Sequence, residues 1–268
     1  MLANQFLTPT MVAEMDSKKY TTCLIRYVIK LFRTLNKGKL YLIPTVLSDD
    51  SQEAVLPTII TNHIKEINIF IVENLRTARR HIKKIYREKD IDNTTFYAYG
   101  KHDTLSLEED FLPHILNGEN VGILSEAGLP CIADPGSKIV AYAHDFQIEV
   151  VPLTGPSSIL LALMSSGMSG QNFAFTGYLP IDKGERNKTI RNLESLAKKT
   201  GQTQIFMETP YRNHQLLDTL KAQCNNKTRL CIAANITSET EFIQTKTIEE
   251  WKQTKVDIHK QPTIFLIS

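Results

Sequence analysis

The sequence predicts an α/β protein of two α/β domains, with a parallel sheet in the N-terminal domain and a mixed sheet in the C-terminal domain. A chain of 268 residues is long enough for about two domains. Its hydrophobic content of 42% and charged content of 22% are typical of globular proteins with a buried core. From Leu40 onward, short strand-like runs alternate with helical runs, as in βαβ units. We place the two domains at residues 40–153 and 154–268.

Residues 1–39 form a basic extension ahead of the first domain. They carry seven Lys or Arg against two acidic residues, whereas the whole chain has a net charge of +2, so the remainder is slightly acidic. Within this segment, Leu24, Val28 and Leu35 share one stripe of a predicted amphipathic helix. We expect this helix to pack on the body or on a partner chain. A helix that contacts a membrane surface or RNA is the alternative.

The first domain reads as strands separated by helices. The predicted strands lie at 40–43, 66–72, 94–99, 120–124 and 148–153, and the predicted helices at 75–86, 106–118 and 137–146. Ser106 and Glu109 have the spacing of a capping box, and Gly118 is a stop signal for the same helix. Because strands connected through helices pair in parallel, we expect a parallel sheet with helices on both faces.

The second domain mixes helical connections with closely spaced strands. Helices are predicted at 158–166, 184–199 and 211–224, with a short turn at 247–251, and strands at 172–180, 203–210, 229–236, 241–244 and 262–268. The strands near the C-terminus are not separated by long helices, so the pattern favours a mixed sheet.

Two loops rich in proline and glycine follow predicted strands of the first domain, "SEAGLPCIADPG" (125–136) and "LTGPSS" (153–158). The first is about twice as long as the roughly two to six residues usual for such a connection. Pro130 and Pro135 restrict their own backbone, and Gly128 permits close approach of other groups. We expect Asp134 to cap the following helix, and a serine of the second loop, Ser157 or Ser158, to cap the helix after it.

Ligands of parallel sheets bind beyond the carboxyl ends of the strands, where both loops begin. The loops therefore predict a rigid frame of backbone N–H and C=O groups for a flat polar molecule such as an adenosine. A purely structural crossover is the alternative for these loops.

Several other classes of protein are not indicated. The four cysteines include no C-x-x-C pair and the seven histidines no H-x-x-x-H spacing, which argues against a disulfide framework and a metal site and favours a reducing cytoplasm. No apolar run reaches the roughly 20 residues of a membrane span. Glycine motifs for dinucleotides or for a P-loop are absent from the sequence.

The motifs "VGILSEAGLPCIADPG", "IEVVPLTGPSS", "FAFTGYLP" and "IFMETPYR" resemble, in order and spacing, the tetrapyrrole methylase superfamily. The resemblance is greatest to its ribosomal RNA small-subunit methyltransferase I branch, which ribose-methylates a cytidine, and it covers about residues 40–253. It implies a cleft between two α/β domains that binds S-adenosyl-L-methionine, usually in a homodimer. Transferred by position, the donor pocket would comprise Pro44, Ser125, Glu126, Ala127, Gly128, Gly155, Pro156, Ser157, Ser158, Thr176 and Gly177.

A hydroxyl acceptor must lose a proton during methyl transfer, and a general base assists that step. His102 and Glu73 are the candidate catalytic residues, with Asp103 nearby in the sequence. The basic helix at 75–86 carries Arg76, Arg79 and Arg80, which either bind an RNA phosphate or form a solvated face.

Three hypotheses of function follow. The first is an RNA ribose methyltransferase that acts on the small ribosomal subunit or its RNA. The second is a methylase of a tetrapyrrole or another small molecule. The third is a catalytically degenerate protein that binds S-adenosylmethionine. It is motivated by the first loop, "IPTVLSDDS", which has no glycine where the branch reads P-I-G-N-L.

Overall fold

The structure is a computed structural model that describes residues 36–49, 51–100 and 105–268. The predicted N-terminal helix and the candidate base His102 lie outside the described residues, so both stay predictions. Within the described residues the chain forms two five-stranded sheets flanked by helices, one all parallel and one mixed. The predicted α/β class with these two kinds of sheet is thereby confirmed. The domain limits at 153 and 154 stay a prediction.

The first sheet has the strand order β3-β2-β4-β1-β5, and every pairing in it is parallel. Its strands are β1 Leu40–Ile43, β2 Ile69–Val72, β3 Thr95–Ala98, β4 Val121–Leu124 and β5 Val150–Pro152. Every residue of the central strands β2 and β4 is buried, as expected for a parallel sheet covered on both faces. Because all five strands run the same way, the loops that follow them meet at one edge of the sheet.

The first half differs from the prediction in three places, and the first is that the two helices between β1 and β2 were not predicted. The helices of this half are α1 Gln52–Val55, α2 Ile59–Glu66, α3 Leu75–Ile85, α4 Leu112–Leu116, which continues a π-helical turn at Leu107–Phe111, and α5 Ser137–Asp145. The strand predicted from residue 66 is wrong at its start, because Glu66 ends α2 and β2 begins at Ile69. The capping box predicted at Ser106 is also altered. Its hydroxyl accepts the Glu109 N–H at 3.1 Å, but the carboxylate that accepts the Ser106 N–H is that of Asp110.

The second sheet has the order β6-β7-β10-β8-β9, in which only β6 and β7 pair in parallel. Its strands are β6 Phe173–Tyr178, β7 Thr203–Met207, β8 Arg229–Ala234, β9 Phe242–Thr247 and β10 Thr263–Ile267. The helices are α6 Ser158–Ser166, α7 Lys183–Thr200, a 3₁₀ turn at Pro210–Arg212, α8 Asn213–Gln223 and α9 Ile248–Gln253. Helix α6 packs its buried residues against this sheet through Ile159, Ala162 and Leu163.

Helix α9 is fixed to the second sheet by Trp251, the single tryptophan of the chain. Its side chain is fully buried, and its indole N–H donates to the Leu230 carbonyl at 2.8 Å, so the buried polar group is satisfied. Thr247 and Glu250 close a capping box at the start of the helix. A six-residue helix thereby keeps a defined position over the core.

Gly122, in the middle of β4, leaves no room for a side chain. A Cβ atom there would lie 2.7 Å from Ile43 Cδ1 and 3.0 Å from Phe70 Cδ1, both in buried side chains. We expect Gly122→Ala to lower the free energy of unfolding by about 1–3 kcal/mol, because overpacking displaces core side chains. Chemical denaturation followed by far-ultraviolet circular dichroism measures the effect. Gly170→Ala is the matched control, since no atom lies within 4 Å of its Cβ position. Equal losses in the two variants would contradict the prediction.

Candidate active site

The carboxyl ends of β1, β2 and β4 open onto a cavity of about 570 Å³. One wall consists of the loops that follow these strands. The opposite wall is formed by the start of α6 and by the ends of β7, β8 and β10 with the segments beside them. Ligand sites of small molecules occupy roughly 300–1,000 Å³, so the cavity has the volume of a cofactor site.

The loop after β1 and the loop after β4 are joined through the carbonyl oxygen of Gly128. This oxygen accepts a hydrogen bond from the Thr45 backbone N–H at 2.9 Å and another from the Ser125 hydroxyl at 2.8 Å. The two hydroxyl oxygens of Thr45 and Ser125 lie 3.3 Å apart, and both residues are buried. The loop after β1 is therefore attached to the loop after β4 by backbone atoms and short side chains.

The loop after β5 meets the loop after β1 at Gly155. A Cβ atom on Gly155 would lie 2.2 Å from Pro44 Cβ and 2.4 Å from Pro44 Cγ, and 3.7 Å from Leu129 Cδ2. Only a residue without a side chain permits this approach. Pro44 is thus buried against Gly155 rather than exposed to the cavity.

The long loop after β4 is shaped by its own hydrogen bonds. Gly128 has a left-handed backbone (φ 76°), and a Cβ there would lie 3.2 Å from the Pro156 carbonyl oxygen. The Asp134 carboxylate accepts the N–H groups of Cys131 at 2.9 Å and Gly136 at 2.8 Å. The prediction that Asp134 caps the next helix is therefore wrong, since Gly136 precedes the first turn of α5 and the carboxylate ties the loop to itself.

The structure brings most of the predicted donor-pocket residues to the cavity. Those that line it are Ser125, Glu126, Ala127, Gly128, Ser157 and Ser158. Ser157 also caps α6 by accepting the Leu160 N–H, which confirms the predicted cap. Pro44, Gly155 and Pro156 lie in the contacts between loops and outside the lining. A role of all these residues in donor binding stays a prediction.

Thr176 and Gly177, the remaining predicted residues of the donor pocket, lie in β6 and outside the lining. The Thr176 hydroxyl donates to the Ile205 carbonyl at 3.2 Å. Gly177 has a left-handed backbone, and the β6–β7 register shifts between Phe175 and Tyr178. The neighbouring Tyr178 lines the cavity instead and is 57% exposed.

Glu73, the second candidate base, lines the cavity at the end of β2. Burial, followed by the negative charge of Asp134, raises the pKa of the Glu73 carboxyl above its usual value. Glu126 lines the same wall, and its carboxylate accepts the Thr77 hydroxyl at 2.6 Å. The carboxylates of Glu73, Glu126 and Asp134 thus surround one part of the cavity.

Sequence reasoning missed Glu208, which lines the cavity at the end of β7. Its side chain is 1% exposed and accepts hydrogen bonds from Arg212 Nη2 at 2.5 Å and from the Thr209 N–H at 2.7 Å. A carboxylate directly after a buried strand, with an arginine four residues later in "METPYR", is a signal that could have found it. Arg212 compensates the buried negative charge of Glu208 and holds its carboxylate in place at the cavity.

Residues 36–49, 51–100 and 105–268 contain neither a candidate metal site nor a candidate membrane-spanning helix. In these ranges no group of three or more His, Cys, Asp or Glu side chains is placed to hold a metal ion. None of the helices described there has both the length and the apolar character needed to cross a bilayer.

Comparison with known proteins connects this α/β fold with a family of methyl-transferring enzymes. The family model described as Tetrapyrrole (Corrin/Porphyrin) Methylases matches residues 61–252. The chain belongs to this family and is an S-adenosylmethionine-dependent methyltransferase.

Curated relatives carry the name Ribosomal RNA small subunit methyltransferase I. The protein from Halalkalibacterium halodurans is 29% identical over 215 residues, which are 80% of this chain and 70% of the relative. The protein from Bacillus subtilis is 32% identical over 213 residues, 80% of this chain and 68% of the relative. Among solved structures, the methyltransferase CobJ superimposes with a TM-score of 0.56 at 16% identity, covering 86% of this chain and 94% of that one. This likeness supports the fold.

The cavity fits S-adenosylmethionine in size and in charge. The missing side chain of Gly128 keeps one wall open, because a Cβ there would fill the space next to Leu47 and Pro156. The donor carries a sulfonium and an ammonium group against one carboxylate, so the carboxylates of Glu73 and Asp134 suit its net positive charge.

Gly155→Ala tests whether the contact between the loops forms the donor site. The added methyl group overlaps Pro44, so we expect the loops to separate and the affinity for S-adenosylhomocysteine to fall at least tenfold in calorimetric titrations. Gly170→Ala, with open space around its Cβ position, should bind as the native protein does. Native affinity in a folded Gly155→Ala protein would show that the contact is not needed for the site.

Proposed function

We propose that this protein transfers the methyl group of S-adenosylmethionine to the 2′-hydroxyl of a cytidine in small-subunit ribosomal RNA. The observation that carries the proposal is the cavity where three crossover loops of the parallel sheet face the second sheet. The names of the relatives from Halalkalibacterium halodurans and Bacillus subtilis support ribosomal RNA as the acceptor.

In this proposal the loops hold the donor. Backbone groups of Ser125 to Gly128 and the start of α6 at Ser157 bind its polar parts. When bound, S-adenosylmethionine supplies an electrophilic methyl group on a sulfonium. The protein contributes mainly by alignment, since reacting atoms held about 3–3.5 Å apart lose much of the entropic barrier.

Glu73 is the proposed general base. Its carboxylate would accept the proton that the ribose hydroxyl loses as the new C–O bond forms. Its raised pKa, caused first by burial, increases the affinity of the carboxylate for that proton. His102 stays the second candidate.

Binding and transfer assays together test the proposed function. We expect the purified protein to bind S-adenosylhomocysteine and to transfer labelled methyl groups to unmodified small-subunit RNA or small ribosomal subunits. Transfer to a porphyrin or corrin acceptor in place of RNA would support the small-molecule hypothesis. Binding of S-adenosylhomocysteine without methyl transfer to any acceptor would support the hypothesis of a catalytically degenerate protein.

Glu73→Gln keeps the shape of the side chain and removes its ability to accept a proton. We expect the rate of methyl transfer to fall by about 10²–10⁴-fold, while the affinity for S-adenosylhomocysteine changes less than threefold. In the native protein the rate should fall as the pH drops through the pKa of Glu73, because the protonated carboxyl cannot act as a base. The pH profile of Glu73→Gln should lack this decrease in rate at low pH. If His102→Ala abolishes transfer and Glu73→Gln retains both rate and pH profile, His102 is the base.

A homodimer is part of the proposal. Helix α6 exposes Leu160 (49%) and Met164 (79%) one turn apart on one face. Apolar side chains presented together in this way favour association with another apolar surface.

Met164→Glu tests the dimer. A charge in an apolar interface loses its hydration, so we expect the mass measured by light scattering after gel filtration to fall from dimer to monomer. Gln215→Glu on the exposed face of α8 is the control and should leave the mass unchanged. A native protein that is already monomeric would refute the proposed dimer.

A cytoplasmic location is the final part of the proposal. Cys131, Cys224 and Cys231 are free thiols within the described residues. Burial raises the pKa of Cys131 to about 11 and that of Cys224 to about 12, so both stay protonated and unreactive. Unpaired, unreactive cysteines are compatible with a reducing compartment.

A further inference from the structure

The cavity of about 570 Å³, in which we propose that the donor binds, is called the donor cavity below. A second cavity, of about 300 Å³, adjoins it. Both cavities are lined by Leu47, Ser48, Ser125, Glu126 and Ala127. The far wall of the second cavity is one face of α3, where Thr77, Arg80, His81 and Lys84 follow each other at helical spacing. A molecule in the second cavity is therefore separated from the donor cavity only by the shared loop residues.

The described residues that line this second cavity include two cations, Arg80 and Lys84, and two carboxylates, Asp49 and Glu126. Arg80 and Lys84 share a single carboxylate, Asp49, at 3.8 Å and 3.3 Å. The side chains of Arg80 and Lys84 are 61% and 38% exposed, so both remain accessible to a ligand. The other carboxylate of the cavity, Glu126, is bound by the Thr77 hydroxyl. Two accessible cations with one shared counter-charge suit a phosphate group.

The inner part of the cavity contains His81, which is buried (9% exposed). Burial lowers the pKa of His81 to about 4, so its imidazole is neutral at physiological pH. The ring makes a hydrogen bond to the Pro44 carbonyl, whereas Nε2 is buried and has no partner within the described residues. The ring therefore forms part of the cavity wall and is attached to the loop after β1 through Pro44.

We propose that the second cavity is the acceptor subsite and binds one nucleotide of a single-stranded RNA segment. Arg80 and Lys84 bind the phosphate, and the rest of the nucleotide lies between the shared loop residues and the face of α3 that contains His81. The cavity is at the lower end of the size range of ligand sites, roughly 300–1,000 Å³, which suits one nucleotide better than a macrocycle. This inference rests on the proposed function and identifies where that acceptor binds.

The phosphate contact is tested by Lys84→Gln against Lys83→Gln. Lys83 is the adjacent residue of the same charge, but it does not line the cavity and instead donates to the Arg87 carbonyl at 3.0 Å. The probe is a fluorescein-labelled, unstructured RNA 12-mer that contains cytidine, titrated with saturating S-adenosylhomocysteine at several salt concentrations. We expect Lys84→Gln and Arg80→Gln each to weaken binding and to reduce the salt slope by about 0.7, the value for one lost single-strand phosphate. Lys83→Gln should change neither quantity.

The outcomes separate this inference from the proposed function. Native RNA affinity and salt slope in both Arg80→Gln and Lys84→Gln would overturn the acceptor subsite even if the protein methylates RNA. Failure of the native protein to methylate any RNA would overturn the proposed function, and the binding titrations would still decide whether the cavity holds a nucleotide.

Discussion

The site depends on the close approach of three loop backbones at the carboxyl edge of the parallel sheet. Gly155 lies against Pro44 with no space for a side chain. The Gly128 carbonyl accepts one hydrogen bond from Thr45, in the loop after β1, and one from Ser125, in its own loop. Interiors packed to this density transmit small displacements. The wall of the donor cavity is therefore set by backbone positions, and the side chains that line it are oriented by loops that have little freedom to move separately.

The chemistry of the cavity follows from this arrangement. Strands of a parallel sheet bring their last residues to one edge, so Glu73 and Asp134 come together although they are far apart in sequence. Their proximity and burial make protonation of Glu73 easier. The second sheet adds the carboxylate of Glu208, which is paired with Arg212. Carboxylates therefore line both walls of the cavity, and the basic face of α3 lies across the loops after β1 and β4.

The alternation of buried strands and helices was predictable because hydrophobic periodicity is a local property of the sequence. Predictions failed where a neighbouring element decides the outcome. Helix α2 (Ile59–Glu66) was not predicted, and the next strand was placed from Glu66, although Ile64 packs from α2 and only Ile67 precedes β2. The Gly-rich loops were located correctly, whereas Tyr178 enters the cavity through a register shift between β6 and β7 that no local pattern encodes. Glu208 was missed because its position across from the loops depends on how the two sheets face each other.

Trp251 gives the two halves of the molecule different optical properties. It is the chain's only indole and lies wholly inside the core beneath the second sheet, bonded to Leu230. Its emission therefore follows the integrity of that core, whereas far-ultraviolet circular dichroism follows the helices and strands of both halves. Recording both signals during heating separates melting of the half that supplies the crossover loops from melting of the half that supports α9. Stepwise loss of the two halves would then be visible without any label.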